Sequence, residues 1–215
     1  EVLGVASGSR LPIVMNVVNR ALSAPINIHC DHGDSMGARD HSWIQIYSED
    51  AQEVYENTLL AVRLAEHKDV QLPAMVCQDG FITSHGVQNV KIYDTGKVRK
   101  FLGERTPLKS LLHIEDPVTM GPLELQDYYF ETKRQQEAAM ERAKQVYLEV
   151  GNELSKITGK KYGFVEGYNL QDSDHVIVTV SSTAGTTKAV IDKWKKQGKN
   201  VGLLKIKVFR PFPYE

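Results

Sequence analysis

Cysteine is scarce in this sequence, and its scarcity excludes several kinds of metalloprotein. Only two cysteines occur among 215 residues, Cys30 and Cys77. They are too few for a zinc ribbon or for an iron–sulfur cluster held by this chain alone. A protein of this length does not need a disulfide for stability, so two free thiols in a reducing compartment are favoured over a disulfide. We therefore expect a cytoplasmic protein.

The sequence also lacks an excess of charge and a long apolar run. Its 26 basic and 27 acidic residues leave a formal net charge of −1, which provides no overall field to attract nucleic acid or an anionic membrane. No apolar run approaches the roughly 20 residues that span a bilayer. With 41% hydrophobic and 25% charged residues, we expect a globular α/β or α+β protein with no nucleic-acid or membrane partner.

Short apolar runs alternate with helical patterns in the first half of the chain. Strands are predicted at residues 11–18, 43–48 and 72–77, with nothing regular before the first of them. A helix is predicted between the second and third strands, at residues 48–67, which makes a βαβ unit. The first run is continuously apolar, as in a buried parallel strand. Residues 94–130 are interrupted by prolines and are predicted as a long connection.

The second half begins with a long helix, predicted in ETKRQQEAAMERAKQVYLEVGNELSKITG and ending at Gly159. A second α/β segment follows, with strands at residues 176–180 and 201–209 on either side of a helix. The small, hydroxylated stretch SSTAGTT precedes that helix, whose free N–H groups suit an anion. Because the chain has no glycine-rich phosphate motif, an ordinary strand–helix turn is favoured. These patterns place a boundary near residue 172.

The stretch SAPINIHCDHGDSMGARDHSW, residues 23–43, holds the densest group of candidate functional residues. Asp31, His32 and Asp34 are of the types that bind divalent metals. The spacing DHGD matches no zinc pattern and HExxH is absent, so a metallohydrolase is an alternative that is not favoured. A ligand-facing loop is better supported, because α/β sheets bind ligands beyond the carboxyl ends of their strands.

Two further segments follow predicted strands. Arg20 comes after the first strand, and DGFITSH, residues 79–85, comes after the third. If these strands are neighbours, Arg20, the DHGD loop and His85 share one edge of the sheet. A guanidinium suits a carboxylate ligand, and a local salt bridge is the alternative. For His85 a capping or interface role is favoured over a general base, and for Phe81 a packing role; both residues are candidates for the pocket or an interface. The absence of GxSxG leaves no basis for a serine hydrolase.

These segments resemble the 2-oxoacid:ferredoxin oxidoreductases, and most closely the alpha subunits of the pyruvate-type enzymes. The resemblance lies in LPIVMNVVNRALSAPINIHCDHGDSMGARDHSWIQIYSED, LPAMVCQDGFITSH, GPLELQDYYFETKRQQEAAMERA and VGLLKIKVFRPFP, and it extends over nearly the whole chain. It implies an internal piece of an alpha subunit, with an α/β fold of parallel sheet and flanking helices. Residues 1–93 would be the C-terminal part of a pyrimidine-type thiamine diphosphate-binding domain, 94–172 a linker with the long helix, and 173–215 the start of a transketolase-C-terminal-like domain.

The resemblance also implies an activity and its partners. Family members decarboxylate a 2-oxoacid oxidatively to an acyl-CoA and pass the electrons to ferredoxin. The cofactors would be thiamine diphosphate with Mg²⁺, shared with a partner domain, and iron–sulfur clusters in partner subunits. Beta, gamma and delta-type subunits, ferredoxin and coenzyme A would be the partners.

For individual residues, the resemblance implies a substrate-binding role for Arg20 and a pocket-edge role for the loop of Asp31, His32 and Asp34. It assigns no catalytic residue to this chain and no metal site. The resemblance implies an acidic residue three positions after the arginine in relatives that act on oxalate. This chain has Ser23 at that position, which favours pyruvate. A branched-chain or oxalate substrate, or a non-catalytic assembly domain of the same fold, are the alternatives.

Overall fold

The computed structural model describes residues 1–105, 107, 110–171 and 173–214. Its helices and strands follow one another in this order: α1 (Val2–Gly8), β1 (Val14–Asn19), α2 (Gly33–Met36), β2 (Ile44–Tyr47), α3 (Ala51–Ala65), β3 (Ala74–Asp79), α4 (Thr95–Leu102), α5 (Tyr129–Thr158), β4 (Val165–Tyr168), β5 (His175–Val180), α6 (Thr183–Lys195), β6 (Val201–Ile206) and β7 (Val208–Arg210). No helix in this described part combines the length and the apolar character that crossing a membrane requires.

The first sheet contains the βαβ unit that the sequence predicts. Its strand order is β1-β3-β2-β7. Strands β1 and β2 both run parallel to β3, while β7 pairs antiparallel with β2. Helix α3 forms the crossover between β2 and β3, and the Asp50 carboxylate caps it by accepting a hydrogen bond from the N–H of Glu53 at 2.8 Å. The parallel α/β architecture is thereby confirmed.

Strand β1 is less buried than its apolar sequence suggests. It lies at the end of the strand order, and Met15 and Val18 are 38% and 46% exposed. By contrast, every residue of β2 is buried. The prediction of a buried strand at residues 11–18 is therefore wrong in burial, because an edge strand has a neighbour on one side only.

Two apolar clusters lie on the first sheet. Helices α3 and α5 cover one face, where Leu60, Leu64, Ala143 and Leu154 join Ile46 in the larger cluster. The opposite face is covered by α1, whose Leu3 carbonyl accepts a hydrogen bond from the indole N–H of Trp43 at 2.8 Å. Helix α1 was not predicted, because its 7 residues, about two turns, are too few to show an apolar period.

The long helix α5 ends as predicted. Gly159 follows its last residue with a left-handed φ of 77°, and its N–H donates to the Ser155 carbonyl at 2.8 Å. The connection predicted for residues 94–130 is wrong in part, since α4 begins there. Its first turn is stabilised by Asp94, whose carboxylate accepts from the N–H of Lys97 at 2.9 Å. Positions 106, 108 and 109 of this connection lie outside the described residues.

The second sheet has the order β4-β6-β5, in which β6 is parallel to β5 and antiparallel to β4. The single strand predicted at residues 201–209 is wrong, because the chain changes sheets at Lys207. Strand β6 ends just before this residue, and β7 continues into the first sheet. The Lys207 carbonyl accepts from the N–H of Tyr47 at 2.8 Å, while its own N–H donates to Phe164. The division into residues 1–93, 94–172 and 173–215 stays a prediction.

Candidate functional site

Strands β1 and β3 end side by side, so the segments that follow them share one edge of the sheet. The last residues of the two strands, Asn19 and Asp79, are register partners. The N–H of Gly80 donates to the Asn19 carbonyl at 2.9 Å, and a Cβ atom on Gly80 would overlap that oxygen. Glycine is therefore needed at residue 80 for the two strand ends to meet.

The Asp34 carboxylate fixes the backbone at the end of β1. Its Oδ1 accepts from the Asn19 amide Nδ2 at 2.7 Å, and its Oδ2 accepts from the N–H of Arg20 at 3.0 Å. The adjacent Ser35 hydroxyl is buried and lies 2.8 Å from both Asn19 Nδ2 and the Tyr47 hydroxyl. The DHGD loop is thus attached to two strands, with Asp34 as the contact that positions Arg20.

The Arg20 side chain itself is exposed. Within the described ranges, no residue forms a hydrogen bond or an ion pair with its guanidinium group. The local salt bridge that was the alternative interpretation is absent among those residues. A planar cation with all its donors available, on a backbone fixed by Asp34, is suited to bind a carboxylate.

His32 contacts a residue that sequence reasoning did not single out. Its Nε2 lies 2.8 Å from Oδ1 of Asp79, which is 2% exposed. The other oxygen, Oδ2, accepts from the N–H of Ser182 at 3.0 Å and makes a short hydrogen bond with the Ser182 hydroxyl. Burial opposes ionisation of Asp79, but the hydrogen bonds from His32 and Ser182 outweigh it and hold its pKa below the usual range.

Asp79 therefore occupies the N-terminal end of α6, where an external anion was one of two interpretations. Ser182 is the N-cap residue of that helix, and its N–H is already bound by the Asp79 carboxylate. This contact favours the other interpretation, an ordinary strand–helix turn. The position of Asp79 at the end of a strand, directly before Gly80, is the signal in the sequence that identifies it.

The remaining predicted residues are placed differently. Phe81 is 46% exposed with φ at +70°, and its ring stacks on that of His85 at 4.8 Å. Phe81 thus packs on His85 at the open side of the sheet edge, and its pocket or interface role stays a prediction. His85 makes a local contact, Nδ1 to the Ser84 hydroxyl at 2.7 Å. Asp31 is exposed and accepts from the N–H of Gly33 at 2.6 Å, which shapes the loop.

One group of side chains has the composition of a metal site. The ligand atoms of Cys30, His32 and Asp79 all lie within 4.8 Å of one another, and thiolate, imidazole and carboxylate are zinc ligands. Burial raises the pKa of the Cys30 thiol to about 12, so without a metal it is protonated. The His32–Asp79 hydrogen bond would have to be exchanged for metal bonds, and the prediction of no metal site stays untested.

The geometry defines a class: an α/β domain with a polar ligand-facing edge at the carboxyl ends of its parallel strands. Residues 1–152 match the family described as pyruvate flavodoxin/ferredoxin oxidoreductase, thiamine diphosphate-binding, and residues 173–215 match pyruvate:ferredoxin oxidoreductase core domain II. The first match covers more than half of the chain. The protein belongs to this thiamine diphosphate-binding family of 2-oxoacid oxidoreductase domains, as the resemblance predicted.

The chain is similar along its whole length to named subunits. It is 56% identical over 215 residues to pyruvate synthase subunit PorA of Thermotoga maritima and 53% identical over 217 residues to PorA of Methanocaldococcus jannaschii. It is also 40% identical over 216 residues to ketoisovalerate oxidoreductase subunit VorA of Pyrococcus abyssi. Each alignment covers 100% of the chain and between 54% and 56% of the relative. The chain thus spans about half the length of these curated relatives.

Among solved structures, the chain is similar to 2-oxoglutarate:ferredoxin oxidoreductase from Magnetococcus marinus, whose structure contains 2-oxoglutarate, coenzyme A and succinyl-CoA. The TM-score is 0.63 at 16% identity, and the match covers 99% of this chain and 40% of the other. At this identity the likeness supports the fold alone.

Proposed function

We propose that this chain is part of the alpha subunit of a pyruvate:ferredoxin oxidoreductase and binds the carboxylate of the 2-oxoacid. The observation that carries the proposal is the exposed Arg20 guanidinium, unpaired among the described residues, at the carboxyl edge of the sheet. The names of the PorA relatives supply the reaction and the preference for pyruvate.

Arg20 would orient the substrate through its planar fork of donors. A guanidinium binds both oxygens of a carboxylate at once, which fixes the rotation of the 2-oxoacid as well as its position. Asp34 keeps the Arg20 backbone in place through the bond between Oδ2 and N–H at 3.0 Å. This contact fixes where the side chain starts, while the exposed side chain itself becomes ordered when the carboxylate binds. His32 supports the same loop, and Asp31 stabilises its turn.

Thiamine diphosphate fits this edge as a neighbour. Asn19 Oδ1 is buried and has no hydrogen-bond partner in the described part of the chain, which leaves an acceptor for a group from outside it. When bound, the cofactor supplies the carbon nucleophile and the electron sink for decarboxylation.

The magnesium ion does not fit here. Among residues 1–105, 107, 110–171 and 173–214, the one group with three potential ligands contains a thiol and an imidazole, whereas Mg²⁺ prefers oxygen. We therefore infer that a partner domain holds the metal and the diphosphate.

The two cysteines bear on which groups the partner subunits would hold. Cys77 is fully buried and Cys30 lies beside His32, so iron–sulfur clusters are proposed in partner subunits of beta, gamma and delta type. Coenzyme A and ferredoxin would complete the reaction as acyl and electron acceptors. Both cysteines are free thiols, which supports a reducing compartment such as the cytoplasm.

The test is Arg20→Ala in the assembled enzyme. We expect KM for pyruvate to rise and kcat/KM to fall on the order of 10²-fold or more, because a charged contact to the substrate is lost. Arg20→Lys keeps the charge without the fork and should recover only part of the loss. Arg39→Ala is the matched control, since Arg39 is also exposed and its guanidinium group, among the residues that the structure describes, contacts only the neighbouring Asp40, at 3.8 Å, and the Met36 carbonyl. Unchanged kinetics for Arg20→Ala would favour a non-catalytic assembly domain.

A second candidate substrate is a branched-chain 2-oxoacid. It is favoured by the 40% identity to the VorA subunit of a ketoisovalerate oxidoreductase. Comparing kcat/KM for pyruvate and for 3-methyl-2-oxobutanoate distinguishes the two, and the larger value identifies the substrate class.

A further inference from the structure

Asp79 joins three parts of the molecule that are distant in sequence. It ends β3, binds His32 of the pocket-edge loop through Oδ1, and binds Ser182 at the start of α6 through Oδ2. The His32 contact spans 47 residues of sequence and the Ser182 contact 103. Since β3 lies inside the first sheet and is buried at every residue except Gln78, Asp79 is the rigid member of this set.

We propose that Asp79 is a positioning residue for 2-oxoacid binding, acting through His32 on the loop that holds Arg20. This inference rests on the proposed function of Arg20. The contacts already described connect the two residues. Asp79 binds the His32 ring, and Asp34 lies two residues after His32 in the same short turn. Asp34 in turn binds the N–H of Arg20. Loss of the Asp79–His32 bond would release the anchor of this loop at His32, while Asp34 and Ser35 keep their own contacts with β1 and β2.

The two oxygens of Asp79 separate this role from a merely structural one. Oδ2 caps α6, so its loss affects the stability of the second sheet and its helix. Oδ1 holds His32, so its loss affects the loop. His32→Ala removes the Oδ1 contact, together with the contacts of the ring with Cys30 Sγ and the Tyr47 ring, and leaves Oδ2 unaffected. Ser182→Ala removes only the hydroxyl contact to Oδ2 and keeps the backbone N–H contact.

The experiment is a double-mutant cycle in the assembled enzyme, with KM measured separately for pyruvate and for coenzyme A. We expect Asp79→Ala and His32→Ala each to raise KM for pyruvate about 10-fold, with kcat and KM for coenzyme A nearly unchanged. The double variant should be no worse than about 10-fold, because both substitutions break the same His32–Asp79 contact, and the Oδ2 contact that Asp79→Ala also removes should not affect KM. Asp79→Asn keeps the shape and an acceptor oxygen, and should recover most of the lost affinity.

Several results would overturn the inference. One is a KM for pyruvate that rises about 100-fold in the double variant, as the product of the two single effects. Another is an unchanged KM for pyruvate in His32→Ala. The third is a KM for pyruvate that rises as much in Ser182→Ala as in His32→Ala. Asp94→Ala is the control. It removes the hydrogen bond that caps α4, outside the pocket-edge loop, and should leave both KM values unchanged. If Arg20→Ala leaves KM for pyruvate unaltered, the proposed function fails. If Arg20→Ala raises it and His32→Ala does not, only the role of Asp79 fails.

Discussion

Two charged clusters lie at different places in the molecule, and they differ in how completely their charges are paired. At the junction of the two sheets, three lysines face three glutamates. These are Lys188, Lys205, Lys207, Glu49, Glu53 and Glu166. At the carboxyl edge of the first sheet, Asp34 and Asp79 are satisfied by hydrogen bonds, while the guanidinium of Arg20 has no partner within the described residues.

The difference shows what each cluster is suited for. Lys205 is 1% exposed and lies 2.7 Å from both Glu49 and Glu53, so its charge is fully used within the fold. A buried charge must be paired to be tolerated, and pairing leaves nothing for a ligand. Arg20 is exposed, so it remains hydrated and costs little until a carboxylate displaces that water. Complete pairing indicates a structural role, and an unpaired cation on a fixed backbone indicates a binding role.

The largest expected effect comes from breaking the paired cluster. Lys205→Met keeps much of the side-chain volume but leaves Glu49 and Glu53 with a buried excess of negative charge. We expect the free energy of unfolding to fall by about 3 kcal/mol, with KM for pyruvate unchanged. Urea denaturation and steady-state kinetics on the same preparation measure the two quantities. Lys161→Met is the control, because Lys161 is exposed and has no hydrogen-bond or ion-pair partner among the residues described. It should change stability by less than about 0.5 kcal/mol.

Asp79 provides an intermediate case, since its charge is paired but lies at the ligand-facing edge. We expect Asp79→Asn to lower the free energy of unfolding by about 2 kcal/mol at neutral pH, because hydrogen bonds to a charged acceptor are weakened. The folded-state pKa of Asp79 is depressed, so its contribution is complete above the unfolded-state pKa of about 3.9 and is lost as the pH falls through the folded-state value. The difference between wild type and variant should therefore shrink below about pH 4.

Denaturation midpoints measured at several pH values between about 3 and 7 test this expectation. A difference that stays constant down to the lowest pH would show that Asp79 contributes through shape and not through charge. Asp79 would then no longer be an example of a paired charge at the ligand-facing edge.

Much of the fold could be predicted because it depends on local patterns. The period of α5 and the glycine at its end are visible in the sequence, as are the three strands of the βαβ unit. The exposed edge position of β1 and the change of sheet at Lys207 depend on which strands become neighbours. No periodicity within a single segment contains that information.

The candidate site divides in the same way. Arg20 is recognisable because it directly follows a strand, and the DHGD loop because it lies in the connection after that strand. The parallel pairing of β1 with β3 brings both segments together with residue 79. The role of Ser182 depends on its contact with Asp79, which is distant in sequence. The role of Cys30 depends on a contact with His32 in which the donor is set by the histidine tautomer. The half-exposed position of Phe81 likewise depends on tertiary structure, because it follows a glycine at the open edge of the sheet.

The smallest expected effect sharpens the role of burial within the paired cluster. Lys188 binds the same Glu49 as Lys205, at 2.9 Å, but its side chain is 23% exposed. Lys188→Met should therefore cost only about 1 kcal/mol, because water already reaches Lys188 and its second partner Glu166, and Lys205 remains to pair with Glu49. Adding salt to about 1 M should reduce this cost, whereas the cost of Lys205→Met should change little, since screening acts on charges that solvent can reach. If the two variants lose the same free energy of unfolding with the same salt dependence, the cluster behaves as one unit. Burial of the individual lysine would then no longer explain the difference between paired and unpaired charges.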